Sequence, residues 1–401
     1  MKPSPLAAQR ERFSVAIVPC SNLMPSMMVA TLGIALPEIR QTFSLSEVAA
    51  GSLFSVMMMI AALTSSAAGR VADRIGRKTV LVTGLSLLAF GFLNAGVSSH
   101  RLWFFFFLAV TGIGYGLTPP SLYAIMSDLL PHRRGLGASL VSVTYGIGGA
   151  IGALLASRVA AAFGWRAAFI SVGVIAAADM LVQLYWIREA QPMLAPTRRP
   201  GSFKSALSCS IAILAIAEFI GGSVFWSCAA WTPTALRGAK ALTLEETGWV
   251  MGVLSLANML GSFSLGSLSD RFGRKRVITV SAVPAAASAF VVFYWLQSPV
   301  GLALGIFIFG VLKASVPALV VALAQEAAPP GNAGTAAGII MSLHYSAGVL
   351  APLIAAKLIT VTGDILFAMI LVSSAPLLLY AALIGAARER APQASPLAIE
   401  V

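Results

Sequence analysis

Gly69-Arg70-Val71-Ala72-Asp73-Arg74-Ile75-Gly76-Arg77-Lys78 is a short polar stretch set between two long apolar runs. It returns 197 residues later as Gly266-Ser267-Leu268-Ser269-Asp270-Arg271-Phe272-Gly273-Arg274-Lys275. Glycine, aspartate, arginine, glycine, arginine and lysine fall in matching places. A repeat spaced at nearly half of a 401-residue chain implies an architecture built twice over.

The material around the repeats belongs in a membrane. The chain is 58% hydrophobic and 10% charged, where a soluble domain carries about 25% charged residues. Its mean hydropathy of +0.87 exceeds what a soluble core could hide. The net charge of +12 reads as loop lysine and arginine that fix topology, not as a nucleic-acid surface. Cys20, Cys209 and Cys228 lie inside apolar runs and present neither a disulfide framework nor a metal site. The basic start (Lys2, Arg10, Arg12) precedes an apolar run of nearly full spanning length without a small-residue cleavage site, which reads as a retained first helix.

Apolar stretches of spanning length, about 20 residues each, fall at 14–37, 47–69, 79–98, 102–128, 136–160 and 166–187. A second set falls at 207–233, 245–268, 277–296, 299–327, 334–359 and 364–386. Hydrocarbon offers no partner to an unpaired amide, so the spans are helices. The expected fold is an all-α integral membrane protein with twelve transmembrane helices in two six-helix bundles, 1–187 and 207–387. A cytoplasmic linker at 188–206, rich in proline and arginine, joins them, and a cytoplasmic tail covers 388–401. With the N-terminus inside, 19 of the 27 basic residues fall on the cytoplasmic side, 7 fall outside, and Lys313 remains in mid-membrane. Both polar repeats then face the cytoplasm, and both termini lie inside.

Each repeat joins the second helix of its half to the third. Gly76 and Gly273 permit a tight turn, and Asp73 and Asp270 stand where a carboxylate can cap a neighbouring helix. The same order of Gly69, Asp73, Arg74, Gly76, Arg77 and Lys78 recurs in Gly266, Asp270, Arg271, Gly273, Arg274 and Lys275. Topological charge alone does not require that order twice, so these are candidate gating loops.

This order resembles the signature loop of the major facilitator superfamily, and the six-plus-six spans with a basic linker resemble the same family, in particular its bacterial organic-anion and metabolite permeases. Ala35-Leu36-Pro37, Pro131-His132-Arg133-Arg134-Gly135 and Gly164-Trp165-Arg166 are similar to further family segments. The resemblance implies two pseudo-symmetric bundles, alternating access, a cavity lined by helices 1, 4, 7 and 10, and a monomer. Three marks of the superfamily's drug–proton antiporters are replaced here by Leu108, Gly152-Ala153 and Met28, which counts against drug export.

The sequence places costly polar groups in mid-membrane. Glu218 lies in span 7 and Lys313 in span 10, where a charge costs at least ~2.5–3.5 kcal/mol without a partner or a wet cavity. Their similar depth leaves two readings: a structural ion pair, or a site in which Lys313 attracts an anion while Glu218 takes up a proton. His344, followed by Tyr345 in span 11, is a second candidate proton group, with a packed histidine as the plainer reading. Tyr115 and Tyr123 share a face of span 4 across Pro119-Pro120, which break its hydrogen bonding. Asn22 and Ser26 in span 1, and Trp226 beside Gly221 and Gly222 in span 7, complete the candidate substrate site; Asn258 is marginal. Asp179 and Gln183 read as glue between helices, and Met57, Met58 and Met59 as packing. Gly146, Gly148, Gly149 and Gly152 form a close-packing surface, not a phosphate loop.

The sequence thus reads as a secondary transporter of a small organic anion, in proton-linked import across the inner (cytoplasmic) membrane, with no cofactor. The alternatives are a drug or metabolite exporter and a membrane receptor or enzyme. An enzyme needs a catalytic constellation, and the three histidines lie in separate segments.

Overall fold

A computed structural model describes residues 14–130, 134–187, 208–313, 318–329 and 332–387. The linker 188–206, the tail 388–401, Pro131 to Arg133 and the side chains of Arg70, Asp73, Arg134 and Gly135 lie outside the described residues. The first half comprises a 3-10 turn (Val18–Asn22), α1 (Leu23–Thr42), α2 (Glu47–Ile75), α3 (Arg77–Val97), α4 (Arg101–Leu129), α5 (Arg134–Phe163) and α6 (Trp165–Trp186). The second comprises α7 (Cys209–Gly238), α8 (Leu244–Phe272), α9 (Arg274–Tyr294), α10a (Pro299–Lys313), α10b (Ala318–Ala327), α11 (Ala333–Thr362) and α12 (Ile365–Ala386). Among the described residues, eleven helices are long and apolar enough to cross a membrane. The tenth expected span appears as α10a and α10b, with 314–317 outside the described residues.

Helix ends show that the repeat is structural. Gly76 (φ +99°) and Gly273 (φ +88°) both hold a backbone that a side chain would strain, so each turn closes within one residue. Ser46 caps α2 through Ala49 N–H, and 197 positions later Thr243 caps α8 in a capping box with Glu246. Arg77 reaches Asp128 and donates to Ala124 O at 3.1 Å, tying the start of α3 to the end of α4. In the second half Arg274 donates to Glu326 at 2.7 Å, tying α9 to α10b. Asp270 does not form the expected cap: α9 starts on Gly273 with no side-chain cap, and Asp270 lies 3.9 Å from Arg274. Lys275 donates to Ala387 O at 2.7 Å, whereas Arg74 and Arg271 are exposed.

Opposite the repeats, which we call the far end, aromatic packing closes the first half. Trp165 donates to Thr42 at 3.1 Å, Arg166 donates to Ser98 O at 3.0 Å, and the Arg166 guanidinium lies 4.4 Å over the Trp165 ring. At the repeat end of the same half, Gln183 donates to Asp179 and Ile17 O, binding α6 to the entry of α1. Pro119 and Pro120 do not interrupt α4, which runs continuously through both. Neighbouring helices supply the packing that holds such a span helical.

The halves meet along α1–α7, α2–α11 and α5–α8, from mid-depth to the far end. Ser55 donates to Val349 O at 2.6 Å, and Arg237 pairs with Glu38. A Cβ on Gly33 would lie 2.4 Å from Ala229 O, and one on Gly248 only 1.9 Å from Ser157 Oγ. The cavity between the halves is therefore shut at the far end. Gly248→Leu should force α5 and α8 apart there. Spin labels at the exposed Phe163 and Glu245 should separate by several ångströms, whereas Gly266→Leu, with nothing within 4 Å, should leave the distance unchanged.

Candidate functional site

A cavity of about 100 Å³ lies at mid-depth between the halves, room for several waters or a small ring at ~10–15 Å³ per water. Ser26 on α1 and Tyr145 on α5 line one wall; Phe225 and Cys228 on α7, Ser255 and Asn258 on α8, and Lys313 on α10a line the other. The expected ring of helices 1, 4, 7 and 10 is thus modified. Helix α5 stands in front of α4, because Gly148 and Gly152 bring its backbone against Leu23 and Met27 of α1.

Lys313 is 3% exposed, with Nζ 4.6 Å above the Phe225 ring and 5.9 Å from that of Phe309. A desolvated cation over an aromatic face gains about 2 kcal/mol. No carboxylate lies within 4 Å of Nζ among the described residues, so Lys313 and Glu218 do not form the ion pair that the sequence left open.

Glu218 turns instead to α11. Fully buried, it places Oε1 at 2.8 Å from His344 Nδ1, while Oε2 has no hydrogen-bond partner among the described residues. Three features hold the imidazole there. Trp226 Nε1 donates to His344 O at 3.2 Å, the Phe225 and Trp226 rings each lie 5.9 Å from the imidazole, and Gly222 leaves it room. A Cβ on Gly222 would stand 2.9 Å from Nδ1. Trp231 and Ser227 also donate to α11 carbonyls, those of Pro352 and Ala351. The α7–α11 seam therefore holds a buried carboxyl–imidazole pair behind the cavity wall.

The other sequence candidates divide into three groups. Lys313 and Ser26 reach the cavity, as does the marginal Asn258. Tyr115 lies one layer behind, its hydroxyl 3.0 Å from that of Tyr145, and Tyr345 approaches the same cluster from α11. Trp226 is buried and braces His344 away from the lining, Asn22 spends its amide on Val141 O at 2.7 Å, and the 41% exposed Tyr123 lies 3.4 Å from Ser142. Sequence reasoning missed Tyr145, Phe225, Cys228 and Ser255. The helices are apolar all round, so no amphipathic stripe marks the side that faces inward.

The sequence profile described as Major Facilitator Superfamily matches residues 20–352 and 214–399. The chain is 26% identical to the 4-hydroxybenzoate transporter PcaK of Acinetobacter baylyi over 72% of this chain and 73% of that one. It is 25% identical to the 3-(3-hydroxy-phenyl)propionate transporter of Escherichia coli over 90% of each. Among solved structures, a bacterial homolog of the human lysosomal transporter Spinster, in an inward-facing and unoccupied conformation, superposes with a TM-score of 0.75. That likeness, at 14% identity and 96% coverage of each chain, concerns the fold.

Removing His344 strands the Glu218 carboxyl. His344→Ala should lower stability in detergent by about 1–3 kcal/mol, the cost of an orphaned buried group. Adding Glu218→Gln should recover part of that loss, since a neutral amide is cheaper to bury. Strictly additive effects in thermal or denaturant unfolding would exclude the coupling.

Proposed function

The chain belongs to the Major Facilitator Superfamily, and from that premise we propose that it imports a small aromatic carboxylate together with a proton. It is a multi-pass membrane protein and a permease for a small solute. The observation that carries the finer reading is the Lys313 ammonium, buried at mid-depth and facing a small cavity, with no carboxylate within 4 Å among the described residues. An anion entering that cavity supplies the missing countercharge, and the Phe225 ring beside it offers an aromatic solute an apolar face. The relatives named for aromatic acids support the same class.

The Glu218–His344 pair supplies the proton site. A proton gained there changes the charge behind the wall that carries Phe225 and Lys313, and so biases the two-state equilibrium between the halves. The repeat end is the cytoplasmic end, the membrane is the inner one, both termini lie inside, and the working unit is a monomer. The division of the chain at 187 and 207, with 188–206 as linker, belongs to this proposal. So do the gating roles of the two repeat loops.

Lysine supplies the attraction, so Lys313→Ala should weaken uptake of labelled benzoate by at least about tenfold, some 1.4 kcal/mol or more. Lys313→Arg should retain part of the activity. Undiminished uptake by the alanine variant would end the anion reading. A monocarboxylate carried with one proton moves no net charge. Uptake into proteoliposomes should therefore follow an imposed pH gradient and ignore a potassium-diffusion potential. Glu218→Gln should lose gradient-driven accumulation yet keep counterflow exchange; full accumulation by that variant would remove Glu218 from the proton path.

A further inference from the structure

We infer that Tyr145 and Tyr115 form a second subsite of the cavity, one that reads a hydroxyl group carried on the ring of the bound carboxylate. The inference rests on the carboxylate reading above and assigns the opposite wall. Lys313 and Phe225 belong to the second half of the chain, whereas Tyr145 faces the same cavity from the first. A solute with a carboxylate at one end and a hydroxyl at the other matches both walls and bridges the halves.

The hydrogen-bond count of the pair supports this assignment. The two hydroxyls lie 3.0 Å apart, so one donates to the other. The accepting hydroxyl keeps its own proton, which meets no acceptor among the described residues. Tyr115 is 3% exposed, so its hydroxyl depends on the contact with Tyr145, which itself is half-buried at the cavity wall. Packing alone would be served by phenylalanine. The pair can donate its spare proton to a ligand oxygen and accept from a ligand hydroxyl, the two abilities that recognise a phenol.

The subsite is also held in place. Beside Tyr145, a Cβ on Gly146 would lie 2.7 Å from Met259 Cβ, and one on Gly149 2.8 Å from Ser255 Oγ. Helix α5 is thus pressed against α8 at this level. Tyr145 touches the ligand, and Tyr115 is a positioning residue that sets the direction of its hydroxyl. A rigid donor opposite a cation makes the position of the substituent matter, so ring isomers should be distinguished.

The test is equilibrium binding to the purified full-length protein at one pH, with benzoate and its 2-, 3- and 4-hydroxy isomers as probes. Wild type should bind one hydroxy isomer about tenfold more tightly than benzoate, the value of one good hydrogen bond. Tyr145→Phe should bring the two within about twofold, by weakening the hydroxy isomer more than benzoate. Tyr115→Phe should shrink the preference less. A wild-type protein that binds benzoate and every hydroxy isomer equally would overturn the subsite and leave the carboxylate reading standing. Equal weakening of all four probes by Tyr145→Phe would also overturn it, because the tyrosine would then only pack. Binding of none of the four by wild type would remove the carboxylate reading and this inference together.

Discussion

Hydrocarbon offers no hydrogen bond and little dielectric screening, so every polar group within the spans needs a partner inside the protein. That constraint turns the backbone into helices, and it accounts for the few exceptions. Glu218 takes His344 at 2.8 Å, Lys313 takes the face of Phe225 at 4.6 Å, and the Tyr145 hydroxyl takes that of Tyr115 at 3.0 Å. Each partnership is incomplete: one carboxyl oxygen, one ammonium and one phenolic proton are left over. A bundle that only had to be stable would have apolar residues at all these positions.

The doubled architecture makes the site's asymmetry legible. Moving back by the 197-residue offset, Glu218 corresponds to Ser21, Lys313 to Gly116 and His344 to Ile147. The first half thus carries none of the charges. It supplies small residues that let helices approach and Tyr145, which faces the cavity. Pseudo-symmetry governs the caps that start α2 and α8 and the glycine turns and arginine ties at the repeat end. It lapses at mid-depth, where the second half alone carries Glu218, Lys313 and His344.

Phe225 connects the two functions of the second half. One face of its ring holds the Lys313 ammonium, and the ring also packs edge-on against Trp226 at 5.1 Å and near His344 at 5.9 Å. On the proposed reading, an anion at Lys313 and a proton on the Glu218–His344 pair would both act on this one ring, which would give their coupling a short physical route.

The amino-acid order by itself determined the membrane class, the helical spans, their division into two sets and the repeat that pairs them. It did so because hydrocarbon length, positive loops and glycine turns are local properties that a linear reading captures. It also singled out Glu218, Lys313 and His344, since a charge or an imidazole in an apolar run is conspicuous. Only the tertiary structure decided who partners whom. Glu218 and His344 are 126 residues apart, and whether Glu218 meets the lysine or the histidine depends on the rotation of α7 about its axis. Spans that are apolar on every side carry no stripe from which that rotation can be read. For the same reason Tyr145 and Phe225, unremarkable in sequence, became part of the cavity only once the helices were packed.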